Sequence, residues 1–360
     1  MSSPELRFAV LGAGFWARYQ FAAWRELGPG AVRCVAVCDP AREKAQALVA
    51  AFGGDEIAVF EDAEALFAAV EFDFVDVITP VETHAELVRM AAARGLPVIC
   101  QKPMGRSLAE AEAMVAACRA AGVSFFVHEN WRWQTPLRAL AAVLRENRIG
   151  RPFRARLQFS NSFPVFDNQP FLATQEQFLL TDIGSHVLDA ARFLFGEART
   201  LFCHTRRIHP RIRGEDVATV MMTMGPGNAA PDELTTVVCE MSYASRWEHE
   251  RFPETFALVE GKRGAAALGP DYRLSVTTED GTWSRRCPPP RYAWADPAYD
   301  LVQASSVACN ANLLRALRSG AAPETHADDN LETVRLVFAA YESARTGRSV
   351  DVPAFSGDRT

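Results

Sequence analysis

The chemistry this chain could perform is concentrated in a few short segments, the first of which is Gly12-Ala13-Gly14-Phe15-Trp16-Ala17. It reads G-x-G-x-x-A. In that pattern the first glycine permits a tight turn and the second lets the backbone approach a pyrophosphate. The small residue at the end allows close helix–strand packing, and a helix N-terminus supplies N–H donors and a favourable dipole. Asp39 follows at the end of the next strand-like run, where an acid can accept hydrogen bonds from ribose hydroxyls and repel a 2′-phosphate. The spacing predicts a dinucleotide site at Gly12, Gly14, Phe15, Trp16 and Asp39, with NAD favoured over NADP. Arg33 and Arg42 temper that preference. A plain βα turn, with Asp39 as a turn residue before Pro40, is the bland alternative.

Two further segments could carry the reaction. Gln101-Lys102-Pro103 follows a buried strand-like run, at the carboxyl end where open α/β sheets place ligands. Thr181–Asp189 (TDIGSHVLD) puts Asp182 and His186 at i and i+4, on one face of a helix. Oxidation of an alcohol by hydride transfer also removes the hydroxyl proton, and a His oriented by a carboxylate suits that task. Lys102, Asp182 and His186 are therefore the catalytic candidates. Taken singly, each has a bland reading, as a surface lysine, a capping acid and an unrelated histidine. A metal set of Asp182, His186 and Asp189 is disfavoured, since the chain has no H-E-x-x-H and no Cys/His cluster nearby.

The elements that must position these residues come in two textures. Strand-like runs at Arg7–Leu11, Val32–Cys38, Asp73–Ile78, Pro97–Cys100 and Val123–Val127 alternate with helix-like stretches, including Phe15–Leu27 and Ala41–Phe52, the latter stopped by Gly53-Gly54. Thr83…Glu86 and Ser107…Glu110 read as capping boxes. Such alternation predicts right-handed βαβ units and a doubly wound parallel Rossmann sheet over residues 1–128. Beyond about residue 150 come Phe153–Phe159, Thr200–Ile208, Val217–Met224, Leu234–Ser242, Thr255–Glu260 and Tyr272–Thr277, with few helices between them. Residues 129–360 are expected to form an α+β domain with an open, mainly antiparallel sheet, one helix at Thr181–Phe195 and two late ones at Val302–Arg318 and Asp328–Arg345. The whole is α/β in class.

Composition limits the partners. Hydrophobic residues at 49% and charged residues at 23% exclude disordered and fibrous readings. The net charge of −6, with no basic run, argues against nucleic acid, which needs clustered cations. The start carries Glu5 rather than a basic n-region, and the apolar run after it is too brief for a signal or a span. Eight cysteines without a C-x-x-C pair suit reduced thiols and a cytoplasmic location.

His128–Trp133 (HENWRW) combines polar and aromatic side chains, and Asp167-Asn168-Gln169 precedes the catalytic helix. Sugars are held by amides and carboxylates beside aromatic faces, so Asn130, Trp131, Arg132 and Asn168 join Asp182 and His186 as substrate candidates. Trp131 and Trp133 could equally serve as packing. With AVLGAGFWA, ITPVETH (Ile78–His84), QKP, TDIGSHVLD and AAYESARTGRSV in this order and spacing, the chain resembles the Gfo/Idh/MocA family over essentially its whole length. That resemblance implies NAD-dependent oxidation of a sugar or polyol hydroxyl, of the aldose 1-dehydrogenase or inositol dehydrogenase type. It implies His186 as base, Lys102 polarising the hydroxyl, and Asp182 orienting substrate or His186. Thr79, Pro80, His84 and Gln101, with Lys102, would lie along the cofactor, and the open sheet would support a homodimer or homotetramer. Where the family has Glu-Lys-Pro this chain has Gln101-Lys102-Pro103, which removes a carboxylate beside Lys102. Some relatives use retained NAD for redox-neutral glycoside hydrolysis. A silent NAD-binding sensor is a further alternative, against which the Lys102/Asp182/His186 set argues.

Overall fold

A computed structural model describes residues 4–52, 56–249 and 251–357, except the side chain of Asn168. The Gly53-Gly54 stop expected after the second helix lies outside the described residues. The chain divides into two compact units, Met1–Glu129 with Ser306–Glu332, and Asn130–Ser305 with Thr333–Thr360.

The first unit holds a six-stranded parallel sheet in the order β3-β2-β1-β4-β5-β6. Its strands are β1 (Leu6–Leu11), β2 (Val32–Cys38), β3 (Ala58–Phe60), β4 (Phe74–Val77), β5 (Val98–Gln101) and β6 (Phe125–His128), linked by α1 (Ala17–Arg25), α2 (Arg42–Phe52), α3 (Ala63–Ala69), α4 (Val81–Ala92) and α5 (Leu108–Ala121). This is the doubly wound order, which reverses between β1 and β4 and opens a crevice at the carboxyl ends there. Strands β4, β5 and β6 are buried throughout, which is why they read as continuous apolar runs. Of the Ser107 box only the Ser107 half forms: its Oγ accepts the Glu110 N–H at 3.1 Å, while the Glu110 carboxylate accepts the Arg106 N–H at 2.7 Å. The Thr83 box does not form. Pro80 precedes the first turn of α4, and Thr83 Oγ1 donates instead to Thr79 Oγ1 and to the Pro80 carbonyl.

A single cut after residue 128 does not describe the units, because residues 306–332 return to the first. The Val127 N–H donates to the Thr325 carbonyl at 3.0 Å, and Phe126 bridges to His326, so this segment covers the free edge of β6.

The second unit is built on a nine-stranded sheet, β14-β13-β12-β11-β7-β10-β9-β8-β15, antiparallel except for the β7–β10 pair. The strands are β7 (Pro152–Ser160), β8 (Glu197–Arg206), β9 (Val217–Gly225), β10 (Thr235–Ser242), β11 (Phe256–Gly261), β12 (Gly264–Gly269), β13 (Arg273–Thr278), β14 (Gly281–Arg286) and β15 (Val350–Asp351). The helices are α6 (Thr135–Arg145), α7 (Val165–Asn168), α8 (Ser185–Phe195), α9 (Asp300–Ser319) and α10 (Ala327–Thr346), the last two passing from one unit to the other along the chain. Ala155, Leu157 and Phe159 of β7, with Val237, Cys239 and Met241 of β10, alternate into the core. β12 and β14 escape sequence reading for opposite reasons. β12 is Gly-Ala-Ala-Ala-Leu-Gly, poor in strand formers, and β14 is exposed along its length and has no apolar alternation. Among the described residues no helix is long and apolar enough to cross a membrane.

Candidate active site

In the first unit the glycine-rich turn sits at the crevice. Gly12 has φ +100, and a Cβ there would meet the Ile78 carbonyl oxygen at 2.6 Å, so only glycine fits between β1 and the end of β4. A Cβ on Gly14 would meet nothing within 4 Å, leaving its backbone open to approach at the start of α1. Phe15 is exposed at the lip and Trp16 half-buried beside Tyr19, their rings 5.6 Å apart. Asp39 is half-buried, and its two oxygens accept the N–H groups of Ala13 at 2.8 Å and Ala41 at 2.9 Å. The acid therefore ties the turn to the end of β2, and a carboxylate keeps lone pairs for further donors after two such bonds. Arg33, at the opposite end of β2, pairs with Glu5, so it is not positioned to receive a 2′-phosphate.

Thr79 and Pro80 follow β4, half-buried and exposed respectively. His84, expected along a cofactor, is instead buried, with Nε2 2.9 Å from the Thr79 carbonyl and Nδ1 3.1 Å from the Pro103 carbonyl. Burial holds its pKa below the ordinary histidine value. It clamps the β4 turn to the Lys102-Pro103 segment. Gln101 is likewise turned inward. Its Nε2 donates to Gln20 Oε1 and lies 3.2 Å from His128 Nδ1, while its Oε1 accepts the Lys102 N–H at 3.2 Å. Both amide ends are thus engaged within the unit, which places the residue behind Lys102. Lys102 itself is half-buried at the carboxyl end of β5.

In the second unit Leu180–Gly184 forms a π-helical turn that leads into α8, a local widening common where helices carry function. It presents Asp182 half-buried and His186 buried. The His186 ring stacks parallel on the indole of Trp131, centroids 4.6 Å apart and planes inclined by 3°. Trp131 is 1% exposed and also meets Phe159, so it is a backing for His186 rather than an open sugar platform. Asp182 Oδ2 accepts the Tyr243 hydroxyl at 3.2 Å. Tyr243 was invisible to sequence reading, because nothing in the β10 pattern marks the residue just past the strand.

Two other substrate candidates hold structure. Asn130 donates to Ser305 Oγ at 3.0 Å and to the Val302 carbonyl at 3.3 Å. Arg132, 4% exposed, makes a two-point ion pair with Asp189 at 2.7 and 2.5 Å, and Asp189 also accepts the Thr333 hydroxyl. A buried guanidinium needs such a partner, and this one fixes the 131–133 turn against α8. The partnership also commits Asp189, the third member of the metal set. Among the described residues no group of three His, Cys, Asp or Glu side chains could hold a metal ion. Asn168 closes α7, and its side chain lies outside the described residues.

Two family models match. The oxidoreductase family with NAD-binding Rossmann fold (GFO_IDH_MocA) covers residues 6–129, and the GFO/IDH/MocA C-terminal domain covers residues 137–267. The chain belongs to the Gfo/Idh/MocA family of oxidoreductases. Its fold and glycine turn make it an NAD-dependent member. It is 42% identical over 350 residues to D-apiose dehydrogenase of Paraburkholderia graminis, spanning 97% of this chain and 90% of that one. It is also 42% identical over 357 residues to D-apiose dehydrogenase of Rhizobium rhizogenes, spanning 98% and 99%. An oxidoreductase from Agrobacterium radiobacter, solved with NAD+, L-tartaric acid and magnesium, superposes with a TM-score of 0.92 at 41% identity, covering 97% of this chain and 99% of that one. NAD fits the residues present: the open backbone at Gly14 would receive the pyrophosphate and the remaining lone pairs of Asp39 the ribose.

Proposed function

We propose that this enzyme oxidises D-apiose to its lactone with NAD, in the manner of an aldose 1-dehydrogenase. The observation that carries the substrate is the 42% identity, over nearly full length on both sides, to two D-apiose dehydrogenases. NAD held at the Gly14 backbone and Asp39 would supply the hydride acceptor for C1 and be released as NADH. His186 takes the proton of the C1 hydroxyl, so that the products are lactone, NADH and one proton. Stacking on Trp131 restrains the imidazole plane, and the Tyr243 hydroxyl restrains the Asp182 carboxylate on the same helical segment. Lys102 donates a hydrogen bond to the reacting hydroxyl and favours its ionisation.

Nicotinamide absorbance, followed with purified protein and a panel of aldoses and inositols against NAD and NADP, tests this reading. Reduction of NAD with D-apiose supports it. Reduction with another polyol alone removes the substrate and keeps the chemistry. Lys102→Ala and His186→Ala variants that bind NAD and retain full turnover would remove the assigned roles.

A homo-oligomer assembled through the open sheet face, and a cytoplasmic location, complete the proposal. Phe202, Met221, Val238, Arg156, Leu258 and Ala267 are paired in register across six strands on that face. Phe202, Met221 and Leu258 are 37%, 49% and 45% exposed, an apolar stripe of the kind that marks interaction surfaces. All eight cysteines are buried and unbridged, which suits a reducing compartment.

A further inference from the structure

Behind Lys102 lies a chain of buried polar side chains whose donors and acceptors, with Asp76 ionised, follow one from the next. Gln20, Asp76 and Asn310 are 0% exposed, His128 1% and Gln101 8%. Asp76 accepts the Gln20 Nε2 protons at 2.6 and 2.8 Å and the Trp24 Nε1 proton at 2.7 Å. With its nitrogen turned to Asp76, Gln20 presents Oε1 to Gln101, which must answer with Nε2. Gln101 Oε1 is then left facing the Lys102 N–H. Asn310 Nδ2 donates to the Gln20 carbonyl at 3.4 Å, so its Oδ1 faces His128 Nε2 at 2.9 Å. His128 therefore carries its proton on Nε2 and accepts from Gln101 on Nδ1, a second reason for an amide nitrogen at that point.

We infer that Asp76 and Gln20 are positioning residues for Lys102, their hydrogen bonds setting the amide orientation of Gln101 and hence the peptide N–H of the catalytic segment. The inference rests on the assignment of Lys102 to the reaction. Its physical content is that this network accommodates one carboxylate. With Asn at 76, the Asn oxygen goes to Trp24 and its nitrogen faces Gln20, which turns over. Gln20 Nε2 then opposes Gln101 Nε2, Gln101 turns in response, and an NH₂ group is left against the Lys102 N–H. With Glu at 101 alone, a carboxylate faces the acceptors Gln20 Oε1 and His128 Nδ1, and buried unmatched acceptors are costly. In the pair Asp76→Asn with Gln101→Glu, a turned Gln20 satisfies both ends, His128 meets the carboxylate as an imidazolium that keeps its Nε2 proton on Asn310 Oδ1, and the Lys102 N–H keeps its acceptor.

The test compares full-length wild type, Asp76→Asn, Gln101→Glu, the double variant and Lys102→Ala, measuring NAD affinity, thermal unfolding, and kcat and KM with NAD and D-apiose. Each single variant is expected to lose about ten- to a hundredfold in kcat, since small misplacements of a reacting group have effects of that size. NAD affinity should stay near wild type, and the double variant should recover most of kcat. A general structural role would give no reciprocal rescue. Wild-type kcat in both single variants, or a double variant whose loss is the product of the single losses, overturns the inference. If Asp76→Asn fails to fold, Gln20→Met cuts the same link without touching either end and is expected to show the same fall in kcat. An inactive Lys102→Ala beside a fully active Asp76→Asn overturns this inference alone. A fully active Lys102→Ala overturns the catalytic reading and this inference with it.

Discussion

At the residue scale the chain divides its charged and polar groups between those that face reactants and those that hold them. Asp76 is the clearest holder, and it carries a stability signature of its own. Burial pushes its pKa up to about 7, against the lowering effect of the Trp24 and Gln20 hydrogen bonds. The titratable groups bearing on it are the thiols of Cys34, pushed up to about 12, and Cys100, raised well above its ordinary value by burial, both neutral at physiological pH. An unfolded aspartate titrates near ~3.9, so between about pH 4 and 7 the native state holds a proton the unfolded state lacks. This contribution is fully present below the unfolded pKa and is lost as pH rises to 7. Denaturant titrations at about pH 5 and pH 8 should show Asp76→Asn gaining roughly 2–3 kcal/mol relative to wild type across that interval, even as activity falls. No relative gain would mean that Asp76 is ionised throughout. Tyr243 supplies a second case. Its hydroxyl, kept protonated by burial and by the adjacent Asp182, fixes that carboxylate. Tyr243→Phe should lower kcat/KM by about ten- to a hundredfold, the worth of a hydrogen bond to a charged group, while the melting temperature barely moves.

At the scale of elements, two junctions are decisive. The β1–α1 turn closes because residue 12 has no side chain. Gly12→Ala brings both a positive φ and a 2.6 Å clash with backbone, so the turn must open. NAD titration should show affinity falling at least about tenfold, with a lower melting temperature. An unchanged affinity would show that the turn does not bind the cofactor. The 131–133 turn and α8 are joined by the buried Arg132–Asp189 pair. Arg132→Leu leaves Asp189 buried without its cation and should cost about 3–5 kcal/mol in chemical denaturation. It should also reduce kcat, because Trp131 loses its place against His186. The helix–strand alternation, the glycine turn and the Ser107 cap were all legible because each depends on a few neighbouring residues. The Thr83 box was misread for a related reason: the S/T-x-x-E pattern matched, but Pro80 starts α4 earlier and places Thr83 inside it.

At the scale of the molecule, the nine-stranded sheet buries one face and leaves on the other a row that is apolar except for Arg156. Met221 is at the middle of the Phe202–Val238 part of that row, and Met221→Glu places a charge where a second copy would close. On the proposed assembly, light scattering should show a dimer or tetramer for the wild type and a monomer for the variant. Equal masses would place the interface elsewhere. The chain also returns to the first unit at residues 306–332, and that return supplies Asn310 to the network behind Lys102.

The sequence by itself determined the class of the protein: a dinucleotide turn read from three small residues and one acid, and a parallel sheet read from period and spacing. Those signals are local, because backbone sterics, strand burial and helix periodicity act over a few residues. Tertiary structure alone decided which polar groups are committed to partners within the chain. Gln101, His84, Asn130 and Arg132 all looked available, yet each is engaged by a partner elsewhere in the chain. Whether a polar side chain is free for chemistry depends on which donor or acceptor the fold brings to it. His128 and Asn310, 182 residues apart, meet only because the chain returns to the first unit at residues 306–332.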